Sequence, residues 1–329
     1  MNAPKISVVI ATFNRAAMLK EALQSLVDQT FSDFEAIIVD DGSTDETPEI
    51  VAAFSDPRFH YIFQENKGRS TARNCALAKV RSTFIAFLDS DDLFAPDKLY
   101  RQLTALENNP DYAMSYTSAS IIDDTGCSQN TCYRALESGQ LHDKIAFYLP
   151  VTILLPTVMV RSSILNDSGW FDEQMNRFED TDLWRRISLR SRLLAIDEPL
   201  TSIRNHAGNQ MEHPLHVYEA VRYYTGKIKS DADTDVEMWH SGSARLFLHY
   251  GLAIYQMAGM KPFSYPFFFE SIKLSPDKTI NTLQTNQVLG VPQALRLLLC
   301  SFIVAPLKLS KFFVVTIIDR IVFRLRRCL

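Results

Sequence analysis

The chain has 329 residues, 47% of them hydrophobic, which is enough for a large core and for two domains or one with an appendage. Its net charge of −4 is unevenly spread: residues 289–329 hold seven basic side chains against one acid, leaving −10 on the remainder. A body that acidic excludes a nucleic-acid binder, whose phosphate contacts need clustered Lys and Arg.

Five cysteines (Cys75, Cys127, Cys132, Cys300, Cys328) form an odd set with no CxxC pair. No leader-like segment precedes the first strand-like run, so free thiols in a reducing cytosol are expected. Cys328 is next to last and makes no prenylation box.

Ile6 to Ala11 is a continuous apolar, β-branched run, as in a strand covered on both faces. Asn14 is placed to cap the following helix, where Met18, Leu19, Ala22, Leu23, Leu26 and Val27 share a face. Phe34 to Val39 predicts a second buried strand, and a helix follows from about Glu46. A strand is expected at Phe59–Phe63, a helix at Ser70–Val80 and a strand at Thr83–Leu88. Four such alternations in about ninety residues predict a doubly wound, mostly parallel α/β sheet.

Ligands of such sheets bind beyond the carboxyl ends of the strands. Three polar clusters fall at that edge: Thr12-Phe13-Asn14-Arg15, Asp40-Asp41-Gly42-Ser43 and Asp89-Ser90-Asp91-Asp92. Further on, a helix is expected over Pro96–Asn109, a strand over Tyr112–Thr117 and a less regular stretch to about Pro156. "GWFDEQMNRFEDTDLWRRI" (Gly169 to Ile187) sets a turn and an acidic cluster before a helix. Residues 215–275 read as helical and aromatic-rich.

Carboxylates gathered at a sheet edge suit a hard divalent cation, Mg²⁺ or Mn²⁺, shared with a substrate's phosphate oxygens. No Walker A loop occurs and no GxGxxG follows the first strand, which argues against a P-loop NTPase or a dinucleotide dehydrogenase. Standing alone, DxDD reads as a solvated turn, and it lacks the glycine and glutamate spacing of an EF-hand.

Five ordered motifs, "VVIATFNR", "VDDGSTDET", "ENKGRSTARNCAL", "FLDSDD" and "FEDTDLWRR", resemble the GT-A-fold, family 2 inverting glycosyltransferases over about residues 5–206. Phe13 stands where the family's tyrosine is usual. The resemblance implies a Rossmann-like GT-A domain over residues 1–210, followed by a helical region at 211–288. It further implies that Thr12 and Phe13 line a base pocket, that Asp40 reads uracil, and that Asn66 and Arg73 complete the nucleotide site. Asp89 and Asp91 match the DxD pair that holds ribose, metal and diphosphate. Asp180 matches the general base, with Glu179 beside it, and His206 resembles a histidine that approaches the metal. The expected reaction is metal-assisted transfer from a UDP-sugar to a hydroxyl of a cell-surface glycan or lipid-linked acceptor. The alternative is a non-catalytic sugar-nucleotide-binding or scaffold protein.

Other residues carry plainer readings. Asp182 is an ordinary acid for a helix N-terminus. Trp170 and Trp184 read equally as acceptor-stacking rings or core. His213 and His216 read as surface histidines, and Cys127 and Cys132 as unpaired loop thiols. The tail over residues 289–329 interleaves Arg320, Arg324 and Arg327 with apolar side chains. Its longest uncharged runs, Leu297–Leu307 and Phe312–Ile318, are too short to span a bilayer, which needs about 20 residues. It is expected to lie on the anionic inner face of the cell membrane, giving peripheral attachment from the cytoplasm. Packing on the body or on a second subunit of a homo-oligomer is the alternative.

Overall fold

The computed structural model describes residues 3–147, 151–206, 213–231, 235–257, 260–275 and 279. Its contacts divide the chain into two compact units, Met1–Gln210 and Met211–Leu329.

The first unit is built on a nine-stranded sheet. Its first half alternates β1 (Ile6–Thr12), α1 (Ala16–Val27), β2 (Phe34–Asp40), α2 (Thr47–Ala53), β3 (Phe59–Phe63), α3 (Arg69–Leu77) and β4 (Phe84–Phe87). β1 pairs in parallel with β2 and β4, and β2 with β3. Then come β5 (Leu93–Phe94), α4 (Lys98–Asn108), β6 (Tyr112–Ile122), β7 (Ser128–Tyr133) and α5 (His142–Ala146). A 3₁₀ turn at Leu155–Thr157, β8 (Val158–Arg161), α6 (Ser162–Ser168), α7 (Glu179–Ser188) and β9 (Arg192–Arg204) complete the unit.

The strand order is β3-β2-β1-β4-β8-β6-β9-β5, with β7 paired to β6 off that path. Beyond β4 the sheet is mixed: β8 is antiparallel to both β4 and β6, whereas β6 and β9 run parallel. The stretch expected to be irregular up to Pro156 therefore holds a longer β6, the β7 hairpin strand and α5. Their signal is weak because β7 is polar and exposed throughout.

Burial on both faces explains the near-continuous apolar strands. Val9, Ile37, Val39, Ile85 and Phe87 enter one core with α3 and α7. Val8, Ile10, Ala36, Ile38 and Ala86 enter the other with α1 and α4. Period-two alternation thus splits β1, β2 and β4 between two hydrophobic layers, and acidic groups collect beyond their carboxyl ends.

One capping expectation is corrected. Asn14 lies at φ +50°, and its side chain accepts from Thr44 N at 2.8 Å instead of capping α1. The first N–H of α1, on Ala16, is taken by Asp45 Oδ2 at 2.9 Å. The loops after β1 and β2 are thereby tied to each other.

The second unit contains α8 (Pro214–Ser230), α9 (Val236–Gln256) and α10 (Lys261–Leu274). Its aromatics are largely core: the Tyr218 ring lies 5.2 Å from Phe267 and 6.0 Å from Phe247. Trp239 Nε1 donates to Thr225 O at 2.7 Å. Gly251 lets α9 and α10 approach closely, since a Cβ there would meet the Phe268 ring at 2.7 Å. His213 and His216 are exposed, as expected. Among the described residues no helix is long and apolar enough to cross a membrane. The tail at residues 289–329 lies outside the described residues.

Candidate active site

The three polar clusters meet at the carboxyl edge of β1, β2 and β4, and hydrogen bonds join them. Asp41 N donates to Thr12 O at 2.9 Å, linking the ends of β1 and β2. Thr12 is buried, and its Oγ1 has no hydrogen-bond partner. Phe13 is 45% exposed at the same edge, an apolar ring facing water.

Asp40 is fully buried, with both carboxylate oxygens in use. Oδ1 accepts from Ser43 N at 2.8 Å and Oδ2 from Tyr61 Oη at 2.7 Å. Each oxygen can accept a further hydrogen bond, but contact with a nucleobase would require access to a carboxylate that is fully buried.

Asp41, to which the sequence reading gave no role, organises the neighbouring loop. Its carboxylate accepts from Gln64 Nε2 at 2.7 Å, Lys67 N at 2.9 Å and Gly68 N at 2.8 Å. These bonds fix the loop that carries exposed Asn66. Gly42, at φ +88°, permits its close approach: a Cβ there would sit 2.8 Å from Asn66 N.

Arg73 is the hub of the acidic residues. Its guanidinium donates to Glu179 Oε1 at 2.8 Å and to Asp89 Oδ1 at 2.9 Å, and it lies over the Phe171 ring. Burial opposes the charge on Arg73, but Asp89 and Glu179 prevail and raise its pKa. Burial raises Asp89, with Arg73 acting against it. One arginine therefore bridges the loop after β4 to the start of α7, although these are 90 residues apart in sequence.

The segment before α7 is pinned to α3. Asn74 Nδ2 donates to Phe171 O and Glu173 Oε1, both at 2.9 Å, and Ser70 Oγ donates to Met175 O at 3.0 Å. Phe178 then takes φ +67° and ψ 11° immediately before α7. A bulky residue in the left-handed region is strained, by about 1–3 kcal/mol, and such strain concentrates at functional sites. This turn sets Glu179 and Asp180 in the first turn of α7.

Asp180 Oδ1 accepts from Thr181 N at 2.6 Å. Burial pushes its carboxyl up to about 7, and the charge of Glu179 adds to the effect. A carboxylate with that affinity for protons suits general-base work near neutrality.

Asp182 lies in the first turn of α7, as expected. It is fully buried and bonds Arg185 at 3.1 Å and Arg186 at 2.9 Å. Helical spacing of three and four residues places these partners on one face. Trp184 is core, its ring 5.7 Å from Phe87, whereas Trp170 remains 39% exposed.

Asp91 is almost buried and meets two groups through one oxygen. Oδ2 lies 2.5 Å from Arg15 Nη1 and 2.9 Å from His206 Nε2. Behind it, Arg204 holds the loop: its N donates to Asp92 Oδ1 at 2.8 Å, its Nε to Asp91 O at 2.9 Å, and its Nη2 to Glu21. Burial, with the charges of Asp89 and Asp91, holds Asp92 well above the usual carboxylate range. Arg204 gave no sequence signal, because its partners are 80 or more residues away.

Among the described residues no group of three or more His, Cys, Asp or Glu is arranged to hold a metal ion. Asp91 and His206 nonetheless present a carboxylate oxygen and an imidazole nitrogen side by side. This pair fits Mn²⁺ or Mg²⁺ when the remaining ligands are phosphate oxygens and water, as is usual for cations that escort phosphates.

The chain matches known proteins over the stretch that builds this site. Residues 7–162 fit the model of glycosyl transferase family 2. An uncharacterised glycosyltransferase of Rickettsia conorii is 35% identical over 209 residues, covering 63% of this chain and 34% of the relative. The chain thus spans about a third of the length of that relative. Residues 1–349 of S. aureus TarS, solved with UDP-GlcNAc, superpose with a TM-score of 0.64 at 22% identity, covering 84% of this chain and 83% of that one. The mannosyltransferase PcManGT from Pyrobaculum calidifontis, solved with GDP-Man and Mn²⁺, gives 0.55 at 17% identity, covering 94% and 89%. These structures share the fold with this chain, and its residues 7–162, which hold most of the sheet edge, are similar to glycosyl transferase family 2.

Proposed function

We propose that the protein transfers a sugar from a UDP-sugar to a hydroxyl of a cell-surface glycan or lipid-linked acceptor, with inversion at the anomeric carbon. The observation that carries this reading is the placement of Asp180 in the first turn of α7, beside a Glu179 that Arg73 ties to Asp89 at the sheet edge, where burial raises the Asp180 carboxyl. The acceptor oxygen attacks the anomeric carbon as the bond to the diphosphate breaks. Asp180 takes the acceptor's proton, and the bonding pair leaves with the nucleoside diphosphate. One displacement needs one base, unlike the two flanking carboxylates of a hydrolase.

The other residues orient and hold. Arg73 keeps Glu179 and Asp89 in place, so that Glu179 supports Asp180 instead of competing for the proton. Thr12, Phe13 and Asn66 bound the base pocket, and Asp40 shapes it through Ser43 and Tyr61. Asp91 and His206 would hold Mn²⁺ or Mg²⁺, with Asp89 beside them. That cation would stabilise the negative charge developing on the departing diphosphate. Sugar-nucleotide binding by the TarS and PcManGT folds supports a nucleotide-sugar donor.

The basic tail is proposed to keep the enzyme at the inner membrane face, where lipid-linked acceptors are found. The assay is release of nucleoside diphosphate from a panel of UDP-sugars and GDP-mannose with Mn²⁺. Release dependent on Asp180 supports an enzyme, whereas tight binding without release supports the scaffold alternative.

A further inference from the structure

Arg15 closes the "TFNR" motif, and the family resemblance assigned it no role. Its Nη1 lies 2.5 Å from Asp91 Oδ2, the same oxygen that His206 Nε2 approaches at 2.9 Å. The ion pair is lopsided: the Asp91 side chain is 8% exposed and the Arg15 side chain 34%. The carboxylate is thus fixed in the protein, while the guanidinium reaches it from the open side at the end of a long side chain.

This pairing meets a physical need. Asp89, Asp91 and Asp92 crowd one loop, and Arg73 is committed to Asp89 and Glu179. Arg204 donates Nε to the Asp91 backbone carbonyl and Nη2 to Glu21. Arg15 is seated on the Asp91 carboxylate itself. A dication and a guanidinium cannot share that oxygen at 2.5 Å without strong repulsion.

We propose that Arg15 is a resident counter-ion for the cation position. It neutralises Asp91 while donor and metal are absent and moves to the donor's diphosphate when they arrive. This rests on the nucleotide-sugar reading above and adds a residue to it. The displaced guanidinium stays at the N-terminal end of α1, beside the loop where that diphosphate must lie. Its fork of N–H donors suits phosphate oxygens, and there it would also neutralise the leaving group. Arg15 therefore opposes metal binding in the empty protein and favours nucleotide binding in the loaded one. A merely structural arginine would not show these opposite signs.

The test uses the full-length chain and Arg15→Gln. Mn²⁺ binding without nucleotide is followed by the paramagnetic resonance signal of the free ion, and UDP binding at saturating Mn²⁺ by calorimetry. Arg15→Gln should bind Mn²⁺ alone about tenfold more tightly than the parent and bind UDP about tenfold more weakly. Arg15→Lys, which keeps charge but loses the fork, should restore weak Mn²⁺ binding and recover only part of the UDP affinity. Unchanged or weaker Mn²⁺ binding in Arg15→Gln overturns the counter-ion role, and unchanged UDP affinity overturns the move to the diphosphate. If Mn²⁺ binds neither protein, with or without UDP, the metal reading fails and this proposal fails with it. If UDP and Mn²⁺ bind normally but no sugar is transferred, the enzyme reading fails while the Arg15 signs still stand.

Discussion

Replacing Asp180 with Asn should stabilise the protein above neutral pH while abolishing its use as a base. The Asp180 carboxyl rises from an ordinary 3.8 to about 7 because burial and the Glu179 charge penalise its ionised form. A raised carboxyl lends the fold its full stability below about pH 4 and loses it as pH climbs through about 7. Roughly three pH units at 1.36 kcal/mol each set a ceiling of about 4 kcal/mol. The realised gain for Asp180→Asn should be about 1–3 kcal/mol at pH 8.5, because the site is only partly closed to water. The amide oxygen still accepts from Thr181 N, so no cap is lost. Thermal unfolding of the two proteins at pH 5 and pH 8.5 reads this directly, with the variant's advantage larger at pH 8.5. Parental transfer activity should rise with pH through about 7 as the base deprotonates. A variant no more stable than the parent at pH 8.5 would refute the strained-carboxylate argument.

Asp91→Ala should lose UDP binding that depends on Mn²⁺ while the protein stays folded, as read by calorimetry and circular dichroism; unchanged affinity places the cation elsewhere. Lys98 is fully buried at the start of α4, where it touches Gln102 and the Phe94 ring, and burial pushes its amine down to about 7. Its penalty is largest below about pH 7 and fades towards pH 10, so Lys98→Met should stabilise by about 1–3 kcal/mol at pH 6.5 and by less at pH 10. Full-length protein should sediment with anionic liposomes at low salt and a chain ending at Val288 should not; full-length protein left in the supernatant makes the tail structural.

Much of the fold was legible in the sequence because β1, β2 and β4 are covered on both faces and read as near-continuous apolar runs. Beyond β4 the sequence showed the first part of β6, Tyr112–Thr117, but not β7, which is polar, or β8, which lasts four residues. At the site, the motifs named Arg73, Asp89, Asp91, Glu179 and Asp180; the structure joins Asp89 and Glu179 through the Arg73 guanidinium, while Asp91 pairs with Arg15 and His206. Asp41, Asn74 and Arg204 were missed because their work is long-range hydrogen bonding, which leaves no local pattern. Asp182 does open the helix as expected, and what the sequence did not show is its full burial against Arg185 and Arg186.

The most direct measurement is nuclear magnetic resonance of the product formed from an α-linked UDP-sugar, Mn²⁺ and a hydroxyl acceptor, alongside Asp180→Asn. A β-linked product, with turnover about 10²–10⁴-fold lower in the variant, is expected of a single displacement using this base. An α-linked product, or near-normal turnover in Asp180→Asn, would contradict it.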